Sequence, residues 1–536
     1  MNKNKPLAWA APLVFVGVLF YWPLGRVLAQ GLGGDWLATI SNVRTAHVVW
    51  FTVWQALISS ALSVLLALPV AQILHCRTFW GSRSARAIIT LPFILPSIVV
   101  GIAFTPFSGL PTITRIVIAH VFMNVGIAVR IIGSVWQRID TSVEEAAALD
   151  GASQIRVFVS VTLPQLKVAI ASASALVFLY CASSFGVIMV LGDLHTHTLE
   201  TEIYISATQF LDLPRTTGLS LIQTALTAGA FITAYKYSRG SLSLSENFDT
   251  QQQTPIQKRD RIPAFATILI FCTLIFWPLA RIVAKAFTFN GTLSLSNFMN
   301  LAGYGARETL SITLMQATLN SLRNLTIATS LALAIGTYAS YLLSRQRLNE
   351  SSRLPVAFLD TIFQIPVGTS AVVLGFGYLI TFSSGFMPLR SSWIATALVQ
   401  ALLAIPLVIR VVYPAFVAID IHVHEAAAID AARTEDVVRW IEYPLIRRSL
   451  LTAAAFAALV SLGEFGSTSF LAYGDQATLP LVLFQLISHP GPQNYGMAMA
   501  TSFLLLITAF VIVYSVSANT QSRQTPTYRA NSDPQT

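Results

Sequence analysis

Five side chains of the kinds that bind metal ions lie close together in the segment GDLHTHTLETE, residues 192–202. Imidazole and carboxylate groups at such short spacing are ligands that transition metals accept. The corresponding segment later in the chain, YGDQATLPLVL, contains no histidine. We therefore interpret residues 192–202 as a solvated loop and predict no metal site. The five side chains are Asp193, His195, His197, Glu200 and Glu202.

The chain shows no pattern typical of catalysis. No serine–histidine–aspartate or cysteine–histidine set converges by its spacing, so we predict no catalytic residues. The phosphate-binding pattern G-x-x-x-x-G-K-[ST] is absent from the sequence, and no lysine follows a glycine. We expect no cofactor in this chain. Cys76, Cys181 and Cys272 lack metal or redox spacing and are interpreted as reduced structural residues.

One carboxylate, Glu464, falls well inside an apolar segment, in SLGEFGSTSF. A carboxylate within a membrane is costly unless it faces water, a cation or a basic side chain. The small residues around it are typical of a surface that lines a path. Two interpretations stay open: Glu464 lines a substrate path and favours a cation, or it pairs with Arg410.

The most specific pattern occurs twice, as EAAALDGASQIRVFVSVTLP at 145–164 and EAAAIDAARTEDVVRWIEYP at 425–444. In the first copy, Glu145 to Asp150 predicts a short helix that ends at Gly151, because glycine adopts the left-handed C′ conformation at little cost. Pro164 is expected in the first turn of the next helix. Between them, four apolar side chains are expected to be buried. They are Ile155, Val157, Phe158 and Val161.

A connection that only joins two helices needs few residues, so we interpret each copy as a helix-turn-helix docking surface, called here an elbow. The surrounding chain is 54% hydrophobic and only 11% charged, against about a quarter charged in soluble domains. We predict an all-α polytopic membrane protein with twelve apolar spans, since about 20 apolar residues cross a bilayer. Spans 1 to 12 are expected near 8–25, 49–74, 87–106, 115–136, 168–191, 217–235, 263–280, 310–343, 354–382, 391–417, 449–472 and 496–516.

The repeat extends beyond the elbows. Arg130 and Arg410, Asp140 and Asp420, and Phe185 and Phe465 are each 280 residues apart. Each half holds six spans, an even number, so the halves are parallel repeats about an axis along the membrane normal. The predicted divisions are a first six-span unit at 1–236 with its elbow at 140–167, a linker at 237–261, a second six-span unit at 262–518 with its elbow at 420–447, and a polar tail at 519–536.

Basic residues predict the orientation. With these boundaries, 22 of the 33 lysines and arginines lie on the side of the linker and the elbows, 7 lie on the other side, and four lie within spans. The basic side is expected to be cytoplasmic, in an inner or plasma membrane, with both termini there. The net charge of +9 is attributed to loops at an anionic membrane face and not to nucleic-acid binding. The apolar N-terminal stretch is interpreted as a retained first span.

The elbows resemble the EAA signature of permeases in binding-protein-dependent ABC importers, E-A-A-x-x-x-G followed after nine residues by I/V-x-L-P. The second copy departs from it at Ala431, where the family has glycine, and at Tyr443, where it has leucine. Two fused six-helix units look like the iron(III) and thiamine permeases of this class. The matching residues are Glu145, Ala146, Ala147, Gly151, Val161, Leu163 and Pro164 in the first copy, and Glu425, Ala426, Ala427, Ile441 and Pro444 in the second.

The resemblance implies a function. Each elbow would be a coupling helix that docks on an ATPase, so two elbows imply two ATPase copies, which hold ATP and Mg²⁺. An extracytoplasmic binding protein would deliver a small cationic substrate, with iron(III) favoured and thiamine next, and residues 192–202 would face it. The chain itself would be no enzyme. The alternative is an ion-coupled secondary transporter, which would need no elbows. The implied coupling residues are Glu145, Ala146, Ala147, Gly151, Pro164, Glu425, Ala426, Ala427, Ala431 and Pro444.

Overall fold

The chain folds almost entirely into helices. Ten helices in the described part of the chain are long and apolar enough to cross a membrane, and two further pairs do so together around a sharp bend. The prediction of an all-α polytopic membrane protein is confirmed, with twelve spans when each bent pair counts as one. The computed structural model describes residues 5–33, 36–107, 109–193, 195–243, 254–257, 260–347, 356–383, 392–430 and 432–521.

The spans keep the predicted order, and most are longer than predicted. In the first half they are span 1 (Ala8–Gly33), span 2 (Val43–Cys76), span 3 (Ser84–Ile94 with Ser97–Phe107), span 4 (Thr112–Trp136), span 5 (Gln154–Ala182) and span 6 (Leu213–Tyr237, within a helix that reaches Ser243). In the second half they are span 7 (Arg261–Ala286), span 8 (Leu314–Gln346), span 9 (Val356–Gly368 with Ala371–Phe382), span 10 (Ile394–Val417), span 11 (Thr434–Gly463) and span 12 (Pro492–Ile512).

Spans 3 and 9 are broken near their middle, by 96° and 95°. Pro92 lies inside the first helix of span 3 and Pro96 precedes the second, and proline removes a helical N–H and clashes with the preceding turn. In span 9, the Ser370 hydroxyl accepts a hydrogen bond from the Val373 N–H at 3.0 Å and so begins the second helix. The sequence prediction of two continuous spans is wrong at these points.

Four π-helical segments lie within spans 1, 5, 7 and 11, and each ends two residues before a proline. The wider π turn accommodates the proline, which has no backbone N–H to donate to the carbonyl four residues before it. Pro164 lies in the first turn of the α-helix Leu163–Ala182, as predicted, and the π-helical segment before it joins this helix to the start of span 5 at Gln154. The segments and their prolines are Gly17–Tyr21 with Pro23, Phe158–Thr162 with Pro164, Phe271–Phe276 with Pro278, and Val437–Glu442 with Pro444.

Spans 5 and 11 end nine residues earlier than predicted, at Ala182 and Gly463 instead of 191 and 472. Short helices fill the rest of each half before the last span. Close packing holds these breaks together: a Cβ on Gly186 would lie 2.4 Å from the Ser97 hydroxyl of span 3, so only glycine fits. The short helices are Gly186–Leu191 and Leu199–Thr208 in the first half, and Thr468–Leu471 and Leu479–Ser488 in the second.

The remaining described elements are small. Arg77–Thr78 pairs in parallel with Thr254–Pro255, and Thr288–Phe289 forms a hairpin with Thr292–Leu293. The helices Thr141–Leu149 and Ile421–Ile429 belong to the elbows. The other short helices are Trp36–Ser41, Ser296–Met299, Asn300–Ala302, Ala306–Glu308 and Gly474–Gln476.

The two halves interlock. Span 1 of the first half packs on span 9 of the second, where the Tyr21 hydroxyl donates to the Ile362 carbonyl at 3.0 Å. Span 7 of the second half packs in turn on span 2 of the first. At the centre, Phe185 and Phe465 stack with ring centroids 5.0 Å apart. Because these two residues are equivalent in the repeat, the pseudo-twofold axis passes between their rings.

Candidate functional site

The first elbow begins with a capped helix, Thr141–Leu149. The Asp140 carboxylate accepts a hydrogen bond from the Ser142 N–H at 2.9 Å, and this bond holds the pKa of Asp140 below its ordinary value. At the other end, Gly151 adopts φ +82°, the left-handed conformation that the sequence predicted. The Ala152 N–H then reaches back to the Ala147 carbonyl at 3.1 Å, which is the bond of a Schellman motif.

The second elbow has the same construction. Asp420 caps Ile421–Ile429 by accepting from the His422 N–H at 3.0 Å. The Ala432 N–H bonds to the Ala427 carbonyl at 3.0 Å, which matches the bond that closes the first elbow. Ala431, where the first elbow has glycine, lies outside the described residues. The helix and its closing bond are therefore present in both halves.

The elbow helices present their acidic and small residues outward. Glu145, Ala146, Glu425 and Ala426 are exposed, and Gly151, Pro164 and Pro444 are exposed as well. Ala147 is half-buried and Ala427 is buried, so the third residue of each EAA run faces the protein. This pattern leaves the glutamate and the first alanine of each run free to contact another chain.

Large apolar side chains surround these residues in solvent-facing positions. Leu149 is 89% exposed, and its equivalent Ile429 is 84% exposed. Ile155 is 78% exposed, so the prediction that it is buried is wrong, whereas Phe158 is half-buried and stacks on Trp136 with centroids 5.9 Å apart. Paired apolar side chains that stay exposed at equivalent positions are typical of a surface that another protein covers.

Each elbow is tied to the span that follows it. In the first half, the Thr162 hydroxyl donates to Glu144 at 2.6 Å. In the second half, the equivalent positions hold His424 and Glu442, whose Nδ1 and Oε1 are 3.7 Å apart. Arg345, at the end of span 8, also donates to Glu442. A displacement of either elbow helix would therefore pull on span 5 or span 11.

A cavity of about 350 Å³ lies between the halves, where spans 3, 5, 9 and 11 break. Irregular backbone at membrane depth is tolerated where it lines a cavity, and transporters place substrate sites at such breaks. A Cβ on Gly463 would lie 3.3 Å from Pro96, so the break of span 11 closely approaches the break of span 3. The polar lining residues are Ser97, His120, Asn124, Tyr180, Ser183, Ser184, Glu200, Thr369 and Glu464.

Glu464 lines this cavity and is only 8% exposed. Its carboxylate accepts from the N–H and hydroxyl of Ser467, both at 2.7 Å, and from the N–H and hydroxyl of Thr468, at 3.1 and 2.6 Å. It therefore caps the short helix after the break. No bond joins Glu464 to Arg410 among the described residues, and Arg410 is exposed.

The segment 192–202 is only partly a solvated loop. Asp193 and His195 are exposed and His197 is half-buried, but Glu200 and Glu202 are buried at 0% and 1% exposure. The prediction of a solvated loop is wrong for these two glutamates, because they begin the helix Leu199–Thr208, which packs inside the protein. No cluster that could hold a metal occurs in the described part of the chain.

The sequence did not point to Glu200 or His120 as cavity residues. Most of the other cavity residues lie far along the chain from both, and little in the local pattern indicates where either side chain faces. The nearest signal is Asn124, one helical turn after His120, since two polar side chains on one face of an apolar span are unusual. Its amide donates to the His120 carbonyl at 2.9 Å.

Comparisons with known proteins agree with this architecture. Residues 63–287 match the family described as binding-protein-dependent transport system inner membrane component. The thiamine transport system permease protein ThiP of Brucella abortus (strain 2308) is 27% identical over 511 residues, which cover 90% of each chain. The proteins of the same name from Haemophilus influenzae and Escherichia coli are each 24% identical, over 95% and 89% of this chain and 96% and 90% of their own lengths.

The likeness to these three permeases covers about nine tenths of each chain, so it includes both elbows. These comparisons favour a permease of an ABC importer over the alternative of an ion-coupled secondary transporter. Partner proteins follow from the family, namely an ATPase and a substrate-binding protein. The matched segment, the near full-length relatives and the membrane helices together show that the chain is the multi-pass inner-membrane permease subunit of an ABC importer, a translocation subunit and not an enzyme.

Proposed function

We propose that this permease imports thiamine. The observation that carries the proposal is its full-length likeness to several proteins named as thiamine transport system permeases. The cavity between the halves supports it, because two carboxylates and several aromatic rings suit a flat organic cation. The sequence analysis placed iron(III) ahead of thiamine. The named relatives reverse that order, and no observation on the described residues favours iron(III).

The proposal includes the coupling mechanism. Each elbow docks on one ATPase subunit, with Glu145 and Glu425 facing its basic groups and the exposed alanines allowing close approach. The outward positions of these residues in both elbows support this role. ATP-driven closure of two ATPase subunits moves the elbow helices, and the Glu144–Thr162 and His424–Glu442 contacts pass that movement to spans 5 and 11.

The orientation is part of the same proposal. The elbows, the linker and both termini face the cytoplasm, and the opposite side receives the binding protein. The excess of basic residues on the elbow side supports this arrangement. The substrate enters the central cavity from the binding protein and leaves it toward the cytosol by alternating access.

An uptake assay in cells tests the substrate. The permease is produced with the ATPase and binding protein of its own system, in a bacterium that lacks its thiamine importer and cannot synthesise thiamine. We expect growth at limiting external thiamine and uptake of radiolabelled thiamine, while uptake of radiolabelled iron(III) stays at background. Iron(III) uptake without thiamine uptake would refute the proposal.

A further inference from the structure

Glu200 and Glu202 are buried carboxylates in the same helical turn, but they have different kinds of hydrogen-bond partners. Glu202 accepts from Arg215 at 2.7 Å and pairs with Arg44 at 3.1 Å, so its charge is balanced by guanidinium groups. Glu200 is equally buried, but its partners in the described structure are neutral. The Gln223 amide donates to it at 2.5 Å and the Ser370 hydroxyl at 2.7 Å.

A buried charge is normally balanced by an opposite charge, because the transfer of an unpaired ion out of water is costly. Glu200 lines the central cavity, and so does Glu464 from the other half. No lysine or arginine is among the described residues that line this cavity. The cavity thus holds two carboxylates without a cationic side chain in its wall.

Polar side chains without partners also line the cavity. His120 is 1% exposed and Ser184 is 9% exposed, and within the described part of the chain neither the two ring nitrogens of His120 nor the hydroxyl of Ser184 has a hydrogen-bond partner. Buried polar atoms are nearly always satisfied, so unpaired atoms that line a cavity are available to bond to polar groups that enter it.

Aromatic rings complete the wall. Phe93 and Tyr180 meet edge to face with centroids 5.2 Å apart, and Phe185 stacks on Phe465. Aromatic faces attract cations, and flat faces suit a planar heterocycle. At about 350 Å³, the cavity is within the range of sites for small organic molecules.

We propose that this cavity is a transient binding site for an organic cation, in which Glu200 is the main counter-charge, Glu464 assists from the second half, and His120 and Ser184 bond to polar groups of the ligand. The proposal rests on the proposed function, since thiamine carries a fixed positive charge on an aromatic ring and an aminopyrimidine with polar atoms. It deepens that function by placing the substrate at the break of four spans.

The test uses the full complex reconstituted in vesicles, with thiamine as the probe. Glu200→Gln keeps the shape of the side chain and removes its charge. We expect thiamine uptake to fall about tenfold or more, which corresponds to the loss of one favourable buried charge contact. ATP hydrolysis stimulated by the loaded binding protein should remain, because the elbows are unchanged.

Ser370→Ala is the matched control. It removes the hydrogen bond from the second half to Glu200 and also the cap on the Val373 N–H, and it leaves the carboxylate in place. Under the proposal this variant transports thiamine at nearly the wild-type rate. Equal and severe losses of uptake in Ser370→Ala and Glu200→Gln, measured at equal amounts of folded permease, would show that Glu200 only joins the halves, and would overturn the proposal.

A second pair of variants tests the cation site even if Glu200→Gln fails to fold. Ser184→Lys adds a cation to the cavity wall, whereas Ser184→Met adds a side chain of similar size without charge. We expect the lysine variant to lose far more thiamine uptake than the methionine variant. Equal uptake in these two variants, or wild-type uptake in Glu200→Gln, overturns the cation site. A wild-type complex that hydrolyses ATP but takes up no thiamine overturns the proposed function itself.

Discussion

Arg77 and Arg345 end the second span of each half, yet they bind different partners. Arg345 donates to Glu442, at the start of the span that follows the second elbow. Arg77 instead bonds to Asp260, in the segment that joins the halves, with its Nε 2.7 Å from the carboxylate. The Thr254 hydroxyl accepts a further bond from Arg77 at 2.6 Å. In the first half, Arg77 therefore contacts the segment that joins the halves, whereas in the second half Arg345 contacts the span that follows the elbow.

Asp260→Asn should destabilise the protein. Both side chains of the Arg77–Asp260 pair are buried, and removal of one partner from a buried pair costs about 3 kcal/mol or more because the other charge stays unbalanced. We expect a clearly lower apparent melting temperature of the purified permease in detergent. Adding Arg77→Met should recover part of the loss. An unchanged melting temperature in Asp260→Asn would contradict the structural role of this pair.

Charge reversal at the elbows should uncouple the permease from its ATPase. Glu145→Lys together with Glu425→Lys is expected to abolish co-purification of the ATPase and thiamine uptake, because the exposed carboxylates then repel basic groups. Asp475→Lys, the same change at an exposed position between spans 11 and 12, is the control and should have little effect. Normal uptake in the double variant would refute the docking role.

The two single variants should differ in severity. The carboxylate of Glu425 lies 3.0 Å from Nδ1 of His422, so part of its charge is already engaged within the elbow. No such contact is present for Glu145 in the described structure. We therefore expect Glu145→Lys to reduce ATPase binding more than Glu425→Lys, as measured by titration of the ATPase onto each variant. Equal losses would indicate that the elbows dock alike.

Gly151→Ala should weaken the first elbow through its backbone alone. The glycine has φ +82°, while a Cβ there would meet no atom within 4 Å, so the strain of about 1 kcal/mol comes from the left-handed conformation. We expect faster hydrogen exchange of residues 141–152 and a lower ratio of transport to ATP hydrolysis. Gly229→Ala is the control, since that helical glycine is equally open and has no positive φ. Identical exchange in wild type and Gly151→Ala would count against this account of the elbow.

Glu464→Gln should lower the stability of the protein. An amide has one acceptor oxygen for the four donors of Ser467 and Thr468 that now meet a carboxylate, so buried donors lose partners. We expect less folded protein in size-exclusion chromatography, and no recovery when Arg410→Gln is added. Full recovery in that double variant would restore the alternative that Glu464 pairs with Arg410.

Local chemistry explains which features the sequence predicted. The first elbow helix is set by neighbours within a few residues, namely the Asp140 cap and the Gly151 stop, and the sequence analysis predicted the stop but not the cap. The bend in span 3 had a local signal in Pro92 and Pro96, but the spans were predicted from the number of consecutive apolar residues, which does not register prolines. Burial of Glu202 had no local signal, because one of its partners, Arg44, lies 158 residues away. The cavity depends on contacts between halves, such as Ser370 with Glu200, that no single segment encodes.

The most direct test of the account is ATP-driven thiamine transport by purified components. The permease and its ATPase are reconstituted so that the ATPase faces a lumen filled with ATP, and thiamine-loaded binding protein is added outside. We predict accumulation of radiolabelled thiamine in the lumen that requires ATP and the binding protein, and that disappears when Glu145 and Glu425 are both changed to lysine. Accumulation that proceeds without ATP, or that survives the double elbow variant, would contradict the account.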